Sequence, residues 1–574
     1  MKIFRKIVFT IMVIVSIPIL AFAQEALWNE LNAKLVLFYQ QGQYEQAVKI
    51  AKEALKVAKE TFGPKHPNMA VSLNNLAGLY KDQGNYVEAE PLYKKALGIR
   101  ENVLGREHID VATSMNNLAG LYKVTGRYAE AEPLYKRALS IQEKVLGLEH
   151  IDIIVLLNNL AELYRAQGRL AEAEPLYNRV LSIQEKALGS WHIDVATTIK
   201  NLAELYKALG RLAQTEALYT RVLSIHKHCL GTENAHIASS ILDLAELYRI
   251  QGRFIDSELY YKKALSMQKK CLGPEHIDIA VTMNSFAGLY YSQGNYIKAE
   301  PLYKGALTIY ESTYGPEHLN IVTSLNNLAG LYFTQGRYSD ALPLYKRVLG
   351  IREMNLKPED MDIAVSMSSL ARVYYFKGRY EEAEQLYKRA LGLYEQVFGP
   401  EHVNIASILN SLAALYYSQN KYTEGEPLHK RALEIQEKAL GLEHIEVAAT
   451  VNSLAGLYKV QGKYAEAELL YKKALSIYQK ALGPEHLDVA ITLNSLAGLY
   501  YSRKNYTKAE TLYKQSLSIF ETALGEYHPH AVTVLENMKE LYKSMDNKEE
   551  AESLEKRLKR IRLKNQRLQL IPTL

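Results

Sequence analysis

Gly78-Leu79-Tyr80 recurs as Gly120-Leu121-Tyr122, Gly288-Leu289-Tyr290, Gly330-Leu331-Tyr332, Gly456-Leu457-Tyr458 and Gly498-Leu499-Tyr500, and every separation is a multiple of 42 residues. The tyrosine column continues through Tyr164, Tyr206, Tyr248, Tyr374, Tyr416 and Tyr542, with Phe38 one period earlier. Thirteen copies thus follow one another without insertion or deletion. A fixed period of this length marks a solenoid, a propeller or an array. One such unit cannot bury its apolar face alone, so neighbours must stack and the chain becomes quasi-one-dimensional. A length of 574 residues would otherwise suggest several globular domains. Here it implies a long surface for partners instead.

Within one unit, residues 112–153, the apolar residues bracketing the first segment fall at Val111, Met115, Leu118, Ala119 and Tyr122. This is the spacing of one helical face. Gly126 breaks the pattern as a glycine does just past a helix end. A second stripe runs Tyr128, Ala131, Leu134, Tyr135, Ala138, Ile141 and Val145, and ends at Leu146-Gly147. No stretch alternates with period two, so no strands are expected. The turn glycine recurs through the chain, replaced only by Asn420, Lys504 and Asp546, which implies a left-handed backbone there. Small residues such as Ala77, Ala119, Ala89 and Ala96 mark close helix approach. Pro91, Pro133, Pro175, Pro301, Pro343 and Pro427 lie inside second helices and should bend them near their start.

Leu76, Ala77, Tyr80, Gly84, Tyr86, Ala89, Tyr93 and Ala96 reproduce, in order, the motif of the tetratricopeptide repeat, which this chain resembles from about residue 28 to 570. Two departures stand out. The usual repeat has 34 residues, and here each unit is longer, closing on connections such as Leu272-Gly273-Pro274-Glu275-His276. This long form looks like the repeats of kinesin light chains and of many bacterial proteins. The resemblance implies an all-α, right-handed superhelical solenoid of about thirteen helix-turn-helix repeats over 24–573, ending in a basic capping helix and tail over 548–574. It also implies that first helices line a concave, partner-binding face. A cargo-adaptor role like that of kinesin light chain would call for a heptad coiled coil ahead of the repeats, and the repeats here follow the leader almost at once.

The ends carry the charge. Net charge is +6. Setting aside Lys2, Arg5 and Lys6, and the tail residues Lys556, Arg557, Lys559, Arg560, Arg562, Lys564 and Arg567, leaves a mildly acidic array. That excludes general nucleic-acid binding. Residues 1–23 read as a secretory signal: a basic start, an apolar run over Ile7–Leu20, and Ala21-Phe22-Ala23 before Gln24. The alternative is an uncleaved anchor, but the run is short against the roughly 20 residues needed to span. A periplasmic or secreted bacterial protein is expected. The last second helix alternates Leu554, Leu558, Ile561 and Leu568 with basic residues, which reads as a soluble cap or as a helix lying on an acidic membrane.

The two cysteines, Cys229 and Cys271, are one repeat apart at the ends of second helices. Equivalent atoms of packed helices lie roughly 10 Å apart, and a disulfide needs Cα atoms within about 7 Å. Two unpaired, mostly buried thiols are therefore expected. A histidine column (His66, His108, His150, His192, His276, His318, His402, His444, His486, His528) has Asn234 and Asp360 in its gaps. Those three residue types suggest a side chain bonding the backbone at the next helix start. A shared metal does not fit one histidine per repeat, although an acid response remains open. His226-Lys227-His228-Cys229 matches no standard metal spacing. No catalytic motif is present, the acidic residues repeat as solvated helix faces do, and neither cofactor nor metal is expected.

The binding surface is sought by helical phase. With Leu73, Leu76, Ala77 and Tyr80 inward, Val71, Asn74, Gly78, Lys81 and Asp82 should face roughly opposite. The asparagine column (Asn74, Asn116, Asn158, Asn284, Asn326, Asn410, Asn452, Asn494) offers carboxamides that both donate and accept, suited to the backbone of an extended peptide. Duplication alone would also explain it. The Lys81 column changes character: Lys81, Lys123, Arg165, Lys207 and Arg249, then Tyr291, Phe333, Tyr375 and Tyr417, then Lys459, Tyr501 and Lys543. Glu162, Glu204 and Glu246 accompany the basic stretch, and mostly glycine accompanies the aromatic one. Exposed rings would serve as hot spots, unless they fold back onto the adjacent repeat. The expected function is a non-catalytic scaffold holding a peptide or protein partner in its groove, with an envelope self-assembly protein as the alternative.

Overall fold

The computed structural model describes residues 23–570, with side chains through Lys564. Residues 1–22, on which the signal reading falls, and 571–574 lie outside it. The described residues form thirteen helical hairpins and no strand. In repeat three, Ile109–Val124 is followed by Tyr128–Leu146. Repeats four and eight open with a single 3₁₀ turn, Ile151–Ile153 and Leu319–Ile321, before Ile154–Ala166 and Val322–Thr334. The helices with internal proline run on without a break, as in Tyr86–Leu104 around Pro91.

Local chemistry sets the helix ends. Gly84 and Gly126 take φ of 77° and 75° at the hairpin turn, and Asn420, Lys504 and Asp546 take 60°, 60° and 55° at the same place. The left-handed turn read from the sequence is therefore present, including at the lysine. The histidine column caps the first helices: Nδ1 of His66, His108 and His150 accepts the N–H two residues on at 3.2, 3.1 and 3.2 Å. Asn234 and Asp360 do the same with side-chain oxygens, both at 2.9 Å. The residue types differ, but each presents an acceptor to an orphan N–H.

The chain divides into two compact units, Met1–Leu289 and Tyr290–Leu574. Inside each, every repeat is packed on its neighbours through apolar residues. The first helix of repeat three buries Val111, Ala112, Ser114, Met115, Leu118, Ala119, Leu121 and Tyr122, half of its length. Its second helix buries a narrower stripe, Ala131, Tyr135, Ala138, Leu139 and Ile141. First helices are thus sandwiched, and second helices are open on one side. Ala77, Ala89, Ala96 and Ala119 are wholly buried, which allows the close approach read from their size. The C-terminal helix Lys548–Leu570, the second of repeat thirteen, buries Leu558 and Ile561 completely, and its arginines reach back to Glu521, Glu526 and Glu536. It caps the array.

The cysteines correct an expectation. Both are free, and both are exposed rather than buried. They sit in the last turn of second helices, beyond the packed stripe, where Cys229 Sγ donates to the Trp191 carbonyl at 2.9 Å.

Candidate partner-binding surface

The asparagine column does not face away from the stack. Asn74 is 8% exposed, and Asn116, Asn158, Asn284, Asn326, Asn410, Asn452 and Asn494 are half-buried. Phase within one helix assigns one buried stripe, but neighbours cover the first helix on two sides, and the asparagines fall in the seam. Asn74 Nδ2 donates to Ser114 Oγ at 3.2 Å, and Asn410 Nδ2 donates to Thr450 Oγ1 at 2.6 Å. The adjacent column completes the seam: Asn159 donates to Asn116 at 2.8 Å and Asn537 to Asn494 at 3.0 Å. In repeat five the pair becomes ionic, Lys200 to Asp243 at 2.6 Å. Several carboxamides therefore clip neighbouring first helices together.

The Lys81 column is the surface that remains open, and its two zones fall in different units. In the first unit three of the five basic residues are matched by glutamates. Lys123 reaches Glu162 at 2.7 Å, Lys207 reaches Glu204 at 2.6 Å, and Arg249 reaches Glu246 at 2.5 Å. The tyrosine beneath joins in: Tyr219 donates to Glu204, and Tyr261 to Glu246 at 2.8 Å. Burial first, then these carboxylates, raise both phenols well above their ordinary range. This face is polar, and three of its cations are neutralised by glutamates.

In the second unit the column is aromatic. Tyr291 and Tyr417 are 37% and 39% exposed, and Phe333 and Tyr375 are half-buried. Both readings of these rings hold at once. The hydroxyls of Tyr291 and Tyr375 bond Thr334 and Ser418 of the next repeat, each at 2.8 Å, while the ring faces stay partly open. For Tyr417 the corresponding position is Val460, which offers no hydroxyl. Phe333, Tyr338, Phe376 and Tyr375 form a chain of rings with centroids 5.1–5.3 Å apart, and the Arg372 guanidinium lies 4.5 Å from the Phe333 centroid. Such rings, ordered by neighbours yet partly bare, lose little entropy when a partner covers them.

Sequence reasoning missed the second-helix glutamates, which it took for solvated faces. Glu90 accepts from Arg127 at 2.7 Å and from Tyr122 at 3.1 Å, both in the next repeat. Glu132 with Arg169 and Tyr164, and Glu300 with Arg337 and Tyr332, repeat the arrangement. Arg127 and then Lys94 hold the Glu90 carboxyl down at about 2. A signal was available: glutamate at one phase, one turn before a buried tyrosine, in nearly every copy. Among the described residues no group of histidine, cysteine, aspartate and glutamate could hold a metal ion, and no helix is long and apolar enough to cross a membrane.

Helical hairpins in series, with an open row of rings along their first helices, define a helical-repeat scaffold. The chain belongs to the tetratricopeptide repeat family, which it matches over residues 26–102, 69–144, 110–186, 194–270, 278–354, 362–438, 405–480, 446–522 and 488–564. Such repeats generally mediate protein–protein interaction. Among solved structures the chain is similar to BtubC (BKLC) from P. vanneervenii, at 24% identity over 44% of this chain and 92% of that one, with a TM-score of 0.33. It is also similar to the nearly identical TPR-like repeats of a kinesin-light-chain-like protein from Podosopora anserina, at 26% identity over 36% of this chain and 99% of that one, with a TM-score of 0.32. No curated protein matches it.

Proposed function

We propose that the chain is a non-catalytic scaffold whose second unit holds an extended segment of a protein partner along the first helices of repeats seven to ten. The partly exposed rings of Tyr291, Phe333, Tyr375 and Tyr417, one per repeat, carry this reading. Spaced apolar anchors of this kind suit alternate side chains of an extended chain. The asparagines take a smaller part than their number suggests. Asn410 has its amide on Thr450 and its carbonyl oxygen on His429, whereas Asn326, in the same helix as Phe333, is left as the proposed contact to the partner's backbone. Export from the cytoplasm is part of the same proposal and rests on the sequence of residues 1–23 alone.

The test is a pull-down from the envelope fraction with the parent chain and with a variant carrying alanine at all four ring positions. Removing buried hot-spot rings typically costs at least about 2 kcal/mol each, so captured protein should fall below detection while helicity by circular dichroism is unchanged. Equal capture by a fully helical variant would reject the groove. Light scattering across concentration separates partner capture from self-assembly, since only the latter gives mass that grows with the chain's own concentration.

A further inference from the structure

Each ring of the aromatic column has a companion at the start of the second helix of its own repeat. Tyr291 lies 5.8 Å from Tyr296, Tyr375 6.0 Å from Tyr380 and Tyr417 5.6 Å from Tyr422, centroid to centroid, with planes inclined at 51°, 50° and 62°. Each pair forms a cleft between two tilted rings beside the hairpin turn. In repeat eight the pair is Phe333 and Tyr338, and Phe376 closes it into a cluster of three rings, each 5.3 Å from the other two. Phe333 has no hydroxyl and meets Phe376, where Tyr291 and Tyr375 meet the hydroxyls of Thr334 and Ser418. Phe376 is 49% exposed, so this cluster presents a platform in place of a cleft.

The companions bring unused donors. Among the described residues the hydroxyls of Tyr296, Tyr338 and Tyr380 have no hydrogen-bond partner, whereas Tyr422 donates to Asn420 Oδ1 at 2.6 Å. The row offers rings and donors more than charge. Ser292, Thr334, Phe376 and Ser418, which follow the rings in sequence, are uncharged, Arg372 lies on Phe333, and the turn arginines Arg337 and Arg379 are paired with Asp340 and Glu382. The pitch of the row decides which backbone fits. Packed helices lie about 8–10 Å apart, so the clefts recur at about that interval, one per repeat. A β-strand returns a side chain to one face every second residue, about 6.8 Å, and every fourth, about 13.6 Å. Neither matches. A polyproline II helix has three residues per turn and rises about 3.1 Å per residue, so every third side chain returns after about 9.3 Å. Its carbonyls bond nothing within the chain, and its prolines have no N–H to satisfy. Such a backbone calls for donors alone, which the free phenols supply.

We propose that repeats seven to ten bind a proline-rich segment in the polyproline II conformation. A proline at every third residue seats on one ring pair, and the hydroxyls of Tyr296, Tyr338 and Tyr380 donate to the carbonyls of the segment. The inference rests on the groove reading and sharpens its spacing from alternate residues to every third. A segment already wound in this form loses little entropy on docking, and aromatic-lined grooves are suited to it.

The test is fluorescence anisotropy with the full chain and three labelled, capped peptides of equal length. One carries proline at every third position among alanine and glutamine. The second has the same composition with its prolines at alternate positions. The third is a strand former that alternates valine and threonine. The first should bind about tenfold or more tighter than either of the others, since they keep only part of the register. Equal or tighter binding of the second or third overturns the proposal on the parent chain, without any variant having to fold. Replacing three donors together, Tyr296→Phe, Tyr338→Phe and Tyr380→Phe, keeps every ring and should weaken the first peptide about tenfold or more. Unchanged affinity overturns the proposal as well, and so does failure of all three peptides to bind. The groove is judged by a different readout, the capture of protein from the envelope fraction. Capture that depends on Tyr291, Phe333, Tyr375 and Tyr417 but comes with no preference for proline at every third residue keeps the groove and rejects this ligand class.

Discussion

At the scale of the residue, Lys504 carries a measurable strain. Its φ of 60° is the left-handed turn that glycine fills in most other repeats. A side chain there costs about 1 kcal/mol relative to glycine. Lys504→Gly is expected to stabilise repeat twelve by that amount, read as slower hydrogen exchange in Tyr506–Leu524 and a higher urea midpoint. Unchanged protection would mean that the surroundings already relieve the strain. This position was legible in the sequence because its alternatives, glycine, asparagine and aspartate, share one backbone preference. The histidine cap was legible for the same reason, since histidine, asparagine and aspartate share an acceptor. Asn74 was not, because burial by a neighbouring repeat cannot be read from the phase of a single helix. The aromatic column was visible as a column, but its hydroxyl bonds to Thr334 and Ser418 depend on the register between repeats.

At the scale of the element, the joint between repeats is a hydrophobic contact closed by a carboxylate clip. Glu90, Glu132 and Glu426 sit on second helices and bind a cation and a tyrosine hydroxyl of the next repeat. Their side chains are mostly covered, so solvent screens them less than a surface pair. Arg127 holds Glu90, Arg169 holds Glu132, and Lys430 holds Glu426, each drawn down from 4.5 to about 2. A carboxyl whose folded value lies below its unfolded one stabilises the fold fully above the unfolded value. That contribution drains away as pH falls from about 4.5 to about 2. Melting temperature should therefore hold from neutral pH to about pH 5 and drop steeply below pH 4. Glu132→Gln should start lower at pH 7 and lose less on acidification, as followed by circular dichroism. If the variant and the parent chain lose equally, the clip is not the source. The sequence displayed these glutamates at one phase, one turn before a tyrosine, but their partners in the next repeat depend on the register between repeats.

At the scale of the whole molecule, a repeat array has no centre, and its order depends on how each end is closed. The period of 42 residues revealed the number of hairpins, and the motif through Leu76, Ala77, Tyr80 and Gly84 supplied the resemblance that gave their type. It could not reveal which copies are specialised, because specialisation is a break in the pattern and looks like drift until structure groups the breaks. His429 and Lys459 are separate oddities in sequence and share one cavity in space. The C-terminal end shows the same logic for stability. One continuous apolar cluster runs from Val447 to Ile561, and Leu554, Leu558 and Ile561 cover Val534, Leu535, Met538 and Leu541 of the helix before. Ending the chain before Lys548 would leave that face bare to water, and each uncovered Leu, Ile or Met side chain forfeits about 1.5–3 kcal/mol of burial. Helix Pro529–Ser544 should then unfold with the deleted helix. Coupling between repeats is nearest-neighbour, so the loss should stop there. The truncated chain is expected to lose the helicity of both helices, to gain mass with concentration in light scattering, and to keep slow exchange in Tyr464–Leu482. Exchange that quickens throughout the second unit would show cooperativity extending well beyond adjacent repeats.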